Sequence, residues 1–171
     1  MVKFLIIILL FKFVLSFKED TDSFIYWNKE KRLTWQDYKS NPPKTDTAVV
    51  ESWVGFGMWP YYSNDSFKIR VRSYFDPYKS WTTVYDSLSL SHEQTHFDIA
   101  ELYARKFRKI LKGQKVLKRS FADSVFKFMY YKEYDEFQNK YDREIYHNIE
   151  NQIRWTKMID LELDKLNDYV E

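Results

Sequence analysis

SHEQTHFDIAELYAR, residues 91–105, is the stretch around which the chain is organised. On a helix, residues three and four apart share a face. His92, His96, Ile99, Tyr103, Phe107 and Ile110 follow that spacing and form one stripe, so a helix here carries two imidazoles and an apolar face on one side. Asp86, Ser87, Ser89 and Ser91 are candidate N-caps, and Lys112-Gly113 reads as the stop. His92 and His96, one turn apart, can meet one Zn²⁺, while Glu93 stands beside them where it can hold a water without ligating. The chain has 3 histidines, so only His147 remains outside the motif. The competing reading is a core helix with two hydrogen-bonded histidines. Burying two imidazoles and a carboxylate with no metal carries a large desolvation cost, which favours the metal.

Other blocks extend the pattern: Leu33-Thr34-Trp35-x-x-Tyr38, Pro42-Pro43, Ser80-Trp81, Tyr141-Asp142-x-Glu144-x-x-His147 and Gln152-x-x-Trp155. In this order, with HEQTHFDIAELYAR, they resemble the bacterial family known as domain of unknown function 922, described as predicted secreted zinc-dependent proteases. The family usually has Gly after the downstream His, where this chain has Asn148, a residue that tolerates left-handed backbone. The resemblance implies a zincin-like metallopeptidase and places a His at position 147. It brings no substrate with it.

Bulk properties bound the rest. With 171 residues, 44% hydrophobic and 20% aromatic, the chain has enough apolar surface for one real core. It has no Cys, which excludes disulfides and thiolate metal sites. Residues 1–16 read as a signal peptide: Lys3 in a short basic start, an apolar run from Phe4 to Phe11, and Val14-Leu15-Ser16 before the cut. The apolar run is far short of the ~20 residues that span a bilayer. An uncleaved anchor is the alternative. Removing Lys3 and Lys12 leaves 25 basic against 25 acidic residues, so no basic surplus points to nucleic acid or an anionic membrane. Residues 17–171 are expected to form a single domain, secreted or periplasmic.

Along that domain, Phe24–Trp27 reads as a first strand and Thr47–Trp59 as a second, with Gly55 and Gly57 marking a bulge or close backbone approach. Trp35 and Tyr38 read as core. Asn64-Asp65-Ser66 is a turn, and Phe67–Phe75 alternates as a half-buried strand with Arg70 and Arg72 on a solvated face. After Gly113 no Gly or Pro occurs. Ser120 opens a second helix through about Gln138. A third runs from near Tyr141 to Tyr169, with Ile145, Ile149, Ile153, Ile159, Leu163, Leu166 and Val170 as its apolar stripe. The expected fold is α+β and zincin-like: a small antiparallel sheet in the N-terminal half, then the HExxH helix and two further packed helices.

A catalytic zinc needs three protein ligands and one open position. His147 is the first choice for the third and Glu144 the alternative, with Asp98 or another carboxylate behind them. On a helix continuing through 147, His147 would stand roughly 160° from the apolar stripe; a helix beginning only after it removes that objection. Glu93 is then the general base. Tyr141 or Tyr146 is a candidate donor to the oxyanion, and Asp98 or Glu101 either orients a His ring or pairs with Arg105 or Lys106. The expected function is a secreted zinc-dependent peptidase acting on a peptide or protein with one Zn²⁺ per chain. The alternatives are a structurally zinc-stabilised or metal-free interaction protein of the cell envelope. In zincin-type folds an edge strand pairs with the substrate, and either 47–59 or 67–75 could be that strand.

Overall fold

The computed structural model describes residues 23–44, 48–145 and 148–171. The expected leader, residues 1–16, lies outside them, and no helix among the described residues is long and apolar enough to cross a membrane. The fold is α+β, a small antiparallel sheet followed by helices.

The motif helix, α1 (Ser87–Lys112), starts where its cap residue dictates. The Asp86 carboxylate accepts the Ser89 backbone N–H at 2.8 Å, satisfying one of the donors that a helix start leaves free. Phe97, Ile99, Ala100, Leu102, Ala104 and Phe107 are all buried, more sides than a surface helix hides, because the sheet covers one flank and a later helix the other. The stripe ends on Leu111 rather than on the expected Ile110, which is exposed.

The sheet is ordered β1–β4–β3, all antiparallel, from β1 (Ile25–Tyr26), β3 (Val54–Ser63) and β4 (Ser66–Phe75). Asn64 and Asp65 take positive φ of 49° and 58° between β3 and β4. This is the two-residue turn whose twist matches a hairpin, and Asn and Asp tolerate it best after Gly. Val71, Ser73 and Phe75 of β4 face α1, while Arg70 and Arg72 take the other face as expected. The expected single strand at 47–59 is in fact two: β2 (Val50–Glu51) leaves the main sheet and pairs with β5 (Trp81–Thr82). The break falls at Trp53, whose N–H is taken by the Ser80 hydroxyl at 2.9 Å and whose carbonyl accepts from Asp76 N. Because β4 is central, β1 and β3 are the edge strands, and on β3 the edge position is where Pro60 is tolerated. Gly55 is a close approach: a Cβ there would lie 3.0 Å from the Tyr74 and Tyr130 hydroxyls.

The C-terminal half departs from expectation in its boundaries. α2 (Arg119–Phe128) continues through a π-helical turn (Met129–Tyr134) into α3 (Asp135–Ile145), so one helical rod spans the interval in which a break near Gln138 was expected. The next helix, α4 (Ile149–Lys165), begins at Asn148, whose side chain accepts the Asn151 N–H at 3.0 Å. Its buried face is Gln152, Trp155, Ile159 and Leu163, followed by Leu166; Ile149, Ile153 and Val170 of the expected stripe are exposed. Trp155 sets this rotation, since its ring packs on Phe137 and Tyr141 of α3. Large aromatic area outweighs three aliphatic side chains near the helix ends.

Candidate metal centre

His92 and His96 meet as the spacing requires: their Nε2 atoms are 3.0 Å apart. The third group is one that sequence reasoning did not single out. Asp142 of α3 brings Oδ1 to 3.0 Å from His96 Nε2 and 3.5 Å from His92 Nε2. These three donors can hold one metal ion. With bonds of about 2.0–2.2 Å, tetrahedral zinc spaces its ligand atoms about 3.3–3.6 Å apart, close to the triangle formed here. The residues therefore fit a zinc ion.

The surroundings hold that triangle in place. His96 Nδ1 lies 2.7 Å from Gln138 Oε1, so the ring donates there and turns the Nε2 lone pair towards the site. Gln138 Nε2 donates to the His96 carbonyl at 3.0 Å and to the Tyr134 hydroxyl at 2.8 Å, and that hydroxyl donates to the Val54 carbonyl at 3.2 Å. A chain of bonds thus ties His96 to the start of the edge strand. Tyr141 forms the floor, its ring stacked on His92 at 5.1 Å and edge-on to His96 at 4.9 Å.

Glu93 stands beside the triangle, with Oε1 3.8 Å from His92 Nε2. Burial pushes its carboxyl up, opposed by the His96 charge and by the Ser52 hydroxyl. Ser52 is in turn held by the Tyr38 hydroxyl at 2.6 Å. Burial and the neighbouring His96 push His92 down to about 4. His96 is pushed down by burial but ends above its ordinary value through its bond to Asp142 and the Glu93 charge. Burial raises Asp142, yet the bond from His96 and the two imidazoles hold it below the usual carboxylate range.

Of the other expected site residues, those that are described fall elsewhere. The Glu144 carboxylate accepts the Trp155 indole N–H at 3.0 Å and faces Lys140, away from the imidazole pair. His147 and Tyr146 lie outside the described residues. The Tyr141 hydroxyl is buried beside Thr95, behind the imidazoles rather than in the cleft. Neither Asp98 nor Glu101 orients a His ring. Asp98 is buried against Arg32, Trp27 and Gln94, and Glu101 against Ser73, Arg105 and Arg108. One signal could have found the missing residues. Gln138 and Asp142 are four apart, one turn of a single helix, and Asp142 sits inside the Tyr141–His147 block.

A cleft of about 400 Å³ opens over the triangle, between Val50–Val54 on one side and Tyr130, Tyr134, Gln138 and Asp142 on the other. Its charged lining is Glu51, Glu93, Asp135 and Asp142 beside the two histidines, with no Lys or Arg among the described residues. Comparison with protein-family models, with curated proteins and with solved structures found no match for this chain.

Proposed function

We propose that the protein is a zinc-dependent hydrolase of amide bonds, a peptidase exported by its N-terminal leader. His92, His96 and Asp142 are its metal ligands and Glu93 its general base. The observation that carries this reading is the donor triangle, 3.0 to 3.5 Å on a side, with a buried carboxylate beside it at the foot of a cleft. The resemblance to the domain of unknown function 922 family agrees with it. The three protein donors among the described residues face a cleft, which suits a catalytic zinc, because a purely structural zinc takes four and closes.

Zn²⁺ bound there supplies Lewis acidity, polarising a carbonyl oxygen and acidifying water. The chain's own groups do the rest. Glu93, held by Ser52 and raised by burial, takes a proton from water as the water oxygen bonds to the scissile carbon. It then passes that proton to the amine nitrogen as the C–N bond breaks. Gln138 keeps the His96 ring in the tautomer that leaves Nε2 free. An extended peptide entering the cleft at Val54 can run along the outer edge of β3, which has no strand partner among the described residues and offers main-chain hydrogen bonds. The acidic lining favours substrates with basic side chains near the cleaved bond.

Glu93→Gln tests this. The variant should keep its zinc while turnover of a mixed peptide library falls by about 10²–10⁴-fold. Hydrolysis that survives the change would remove Glu93 from the mechanism. Zinc-loaded wild-type protein that cleaves no library peptide would sink the enzyme reading.

A further inference from the structure

A second cavity, of about 280 Å³, lies on the opposite side of α1 and shares no lining residue with the metal cleft. Glu101, Arg105 and Arg108 line it at helical spacing, and at 100° per residue that stripe stands roughly 120–180° from the two histidines. Arg72 of β4 and Trp27 complete the wall, and Glu171 stands at the mouth. Its charges do not balance internally. Glu101 is the one buried carboxylate: it accepts from Arg105 Nε at 2.9 Å, from an Arg108 Nη at 2.6 Å and from the Ser73 hydroxyl at 2.6 Å. Arg108 Nε is buried with no hydrogen-bond partner, a donor a folded interior rarely leaves idle. Among the described residues, Arg72 is answered by the Glu171 carboxylate and by Tyr26, as a hydrogen-bond partner and through its ring. The Glu171 carboxylate also reaches Arg70 Nε at 3.4 Å. Both pairs are partly exposed, with Arg70 at 53%, Arg72 at 32% and Glu171 at 38%, so water competes for them.

We propose that this cavity is a binding site for a small oxyanion, a carboxylate or phosphate on a compact body. The Glu171 side chain takes the anion's place at the Arg72 end until the ligand displaces it. A guanidinium fork matches either oxyanion, and the carboxylate already at the mouth shows the chemistry the arginines accept. The volume limits the body to metabolite size. Trp27, whose ring lies 5.1 Å from the Arg105 guanidinium, gives it a flat apolar wall. This inference does not rest on the hydrolase reading.

The test titrates the metal-stripped full chain with inorganic phosphate and separately with glutarate, at constant ionic strength, against chloride. The arginine Nε–H resonances are followed by NMR. Saturable shifts at Arg72 and Arg108 are expected with at least one of the two anions, and which one responds identifies the source. Glu171→Gln should tighten binding about tenfold, and Arg72→Gln, at a partly exposed position that leaves the fold intact, should weaken it by at least as much. The His92→Ala/His96→Ala variant should bind as wild type does. No saturation of Glu171→Gln at about 1 mM of either anion would overturn the proposal, leaving Glu171 as a plain ion-pair partner of Arg70 and Arg72. So would binding indifferent to both the Glu171 and the Arg72 changes, or binding lost with the two histidines.

Discussion

Replacing Asp142 by Ala is the sharpest probe of the metal centre. Its Oδ1 stands 3.0 and 3.5 Å from the two imidazole nitrogens and closes the triangle. The side chain is 52% exposed, so truncating it opens no cavity and should leave the melting temperature of the metal-free protein within a few degrees. Its effect on zinc should be large. Structural zinc sites bind with about 10–16 kcal/mol over four ligands, about 2.5–4 kcal/mol each. Loss of one charged ligand should therefore weaken binding by about 10²–10³-fold. Competition against a chromophoric chelator at neutral pH measures this directly. Glu144→Ala should stay within about threefold of wild type, since that carboxylate is turned to Trp155. His147→Ala should do the same. Zinc affinity unchanged in Asp142→Ala but lost in His147→Ala would refute the reasoning and move the third ligand to the segment after α3.

Two further outcomes follow from the packing. Gln138→Ala removes the acceptor at His96 Nδ1 and the link to Tyr134, and should cost about 10–100-fold in zinc affinity. Gln138→Glu, which keeps the acceptor, should recover most of it, and the chelator competition reads both. Phe56→Ala empties the centre of an aromatic cluster in which Tyr103, Phe107, Phe126, Tyr130 and Tyr134 all lie within 6.5 Å of the Phe56 ring. It should destabilise the protein by about 3–5 kcal/mol in urea unfolding, and a loss under about 1 kcal/mol would show that the cluster refills the space.

Local chemistry was legible wherever it was local. The helix from Asp86 to Gly113, the Asn64-Asp65 turn and the alternation along 67–75 are set by caps, φ preferences and period, all of which act within a few residues. The meeting of His92 and His96 is of the same kind. The split of 47–59 was not legible, because it depends on Ser80 and Asp76 reaching Trp53 from the far side of a hairpin. Nor was the joint between α3 and α4, where Asn148 makes the cap and no Gly or Pro advertises it.

The sequence by itself determined that a helix carries two imidazoles and a carboxylate on the edge of its buried face. It also determined that a small antiparallel sheet precedes that helix. Only the tertiary structure decided which side chain completes the triangle. α2 and α3 form one rod with a π-helical turn, and Trp155 pins its last turns against α4. The extra residue in that turn rotates everything after it, and this rotation sets the direction in which Gln138 and Asp142 point. Glu144, two residues further along the same rod, is carried round to Trp155. Periodicity fixes angles within one helix; the angle between two helices is fixed by what packs between them.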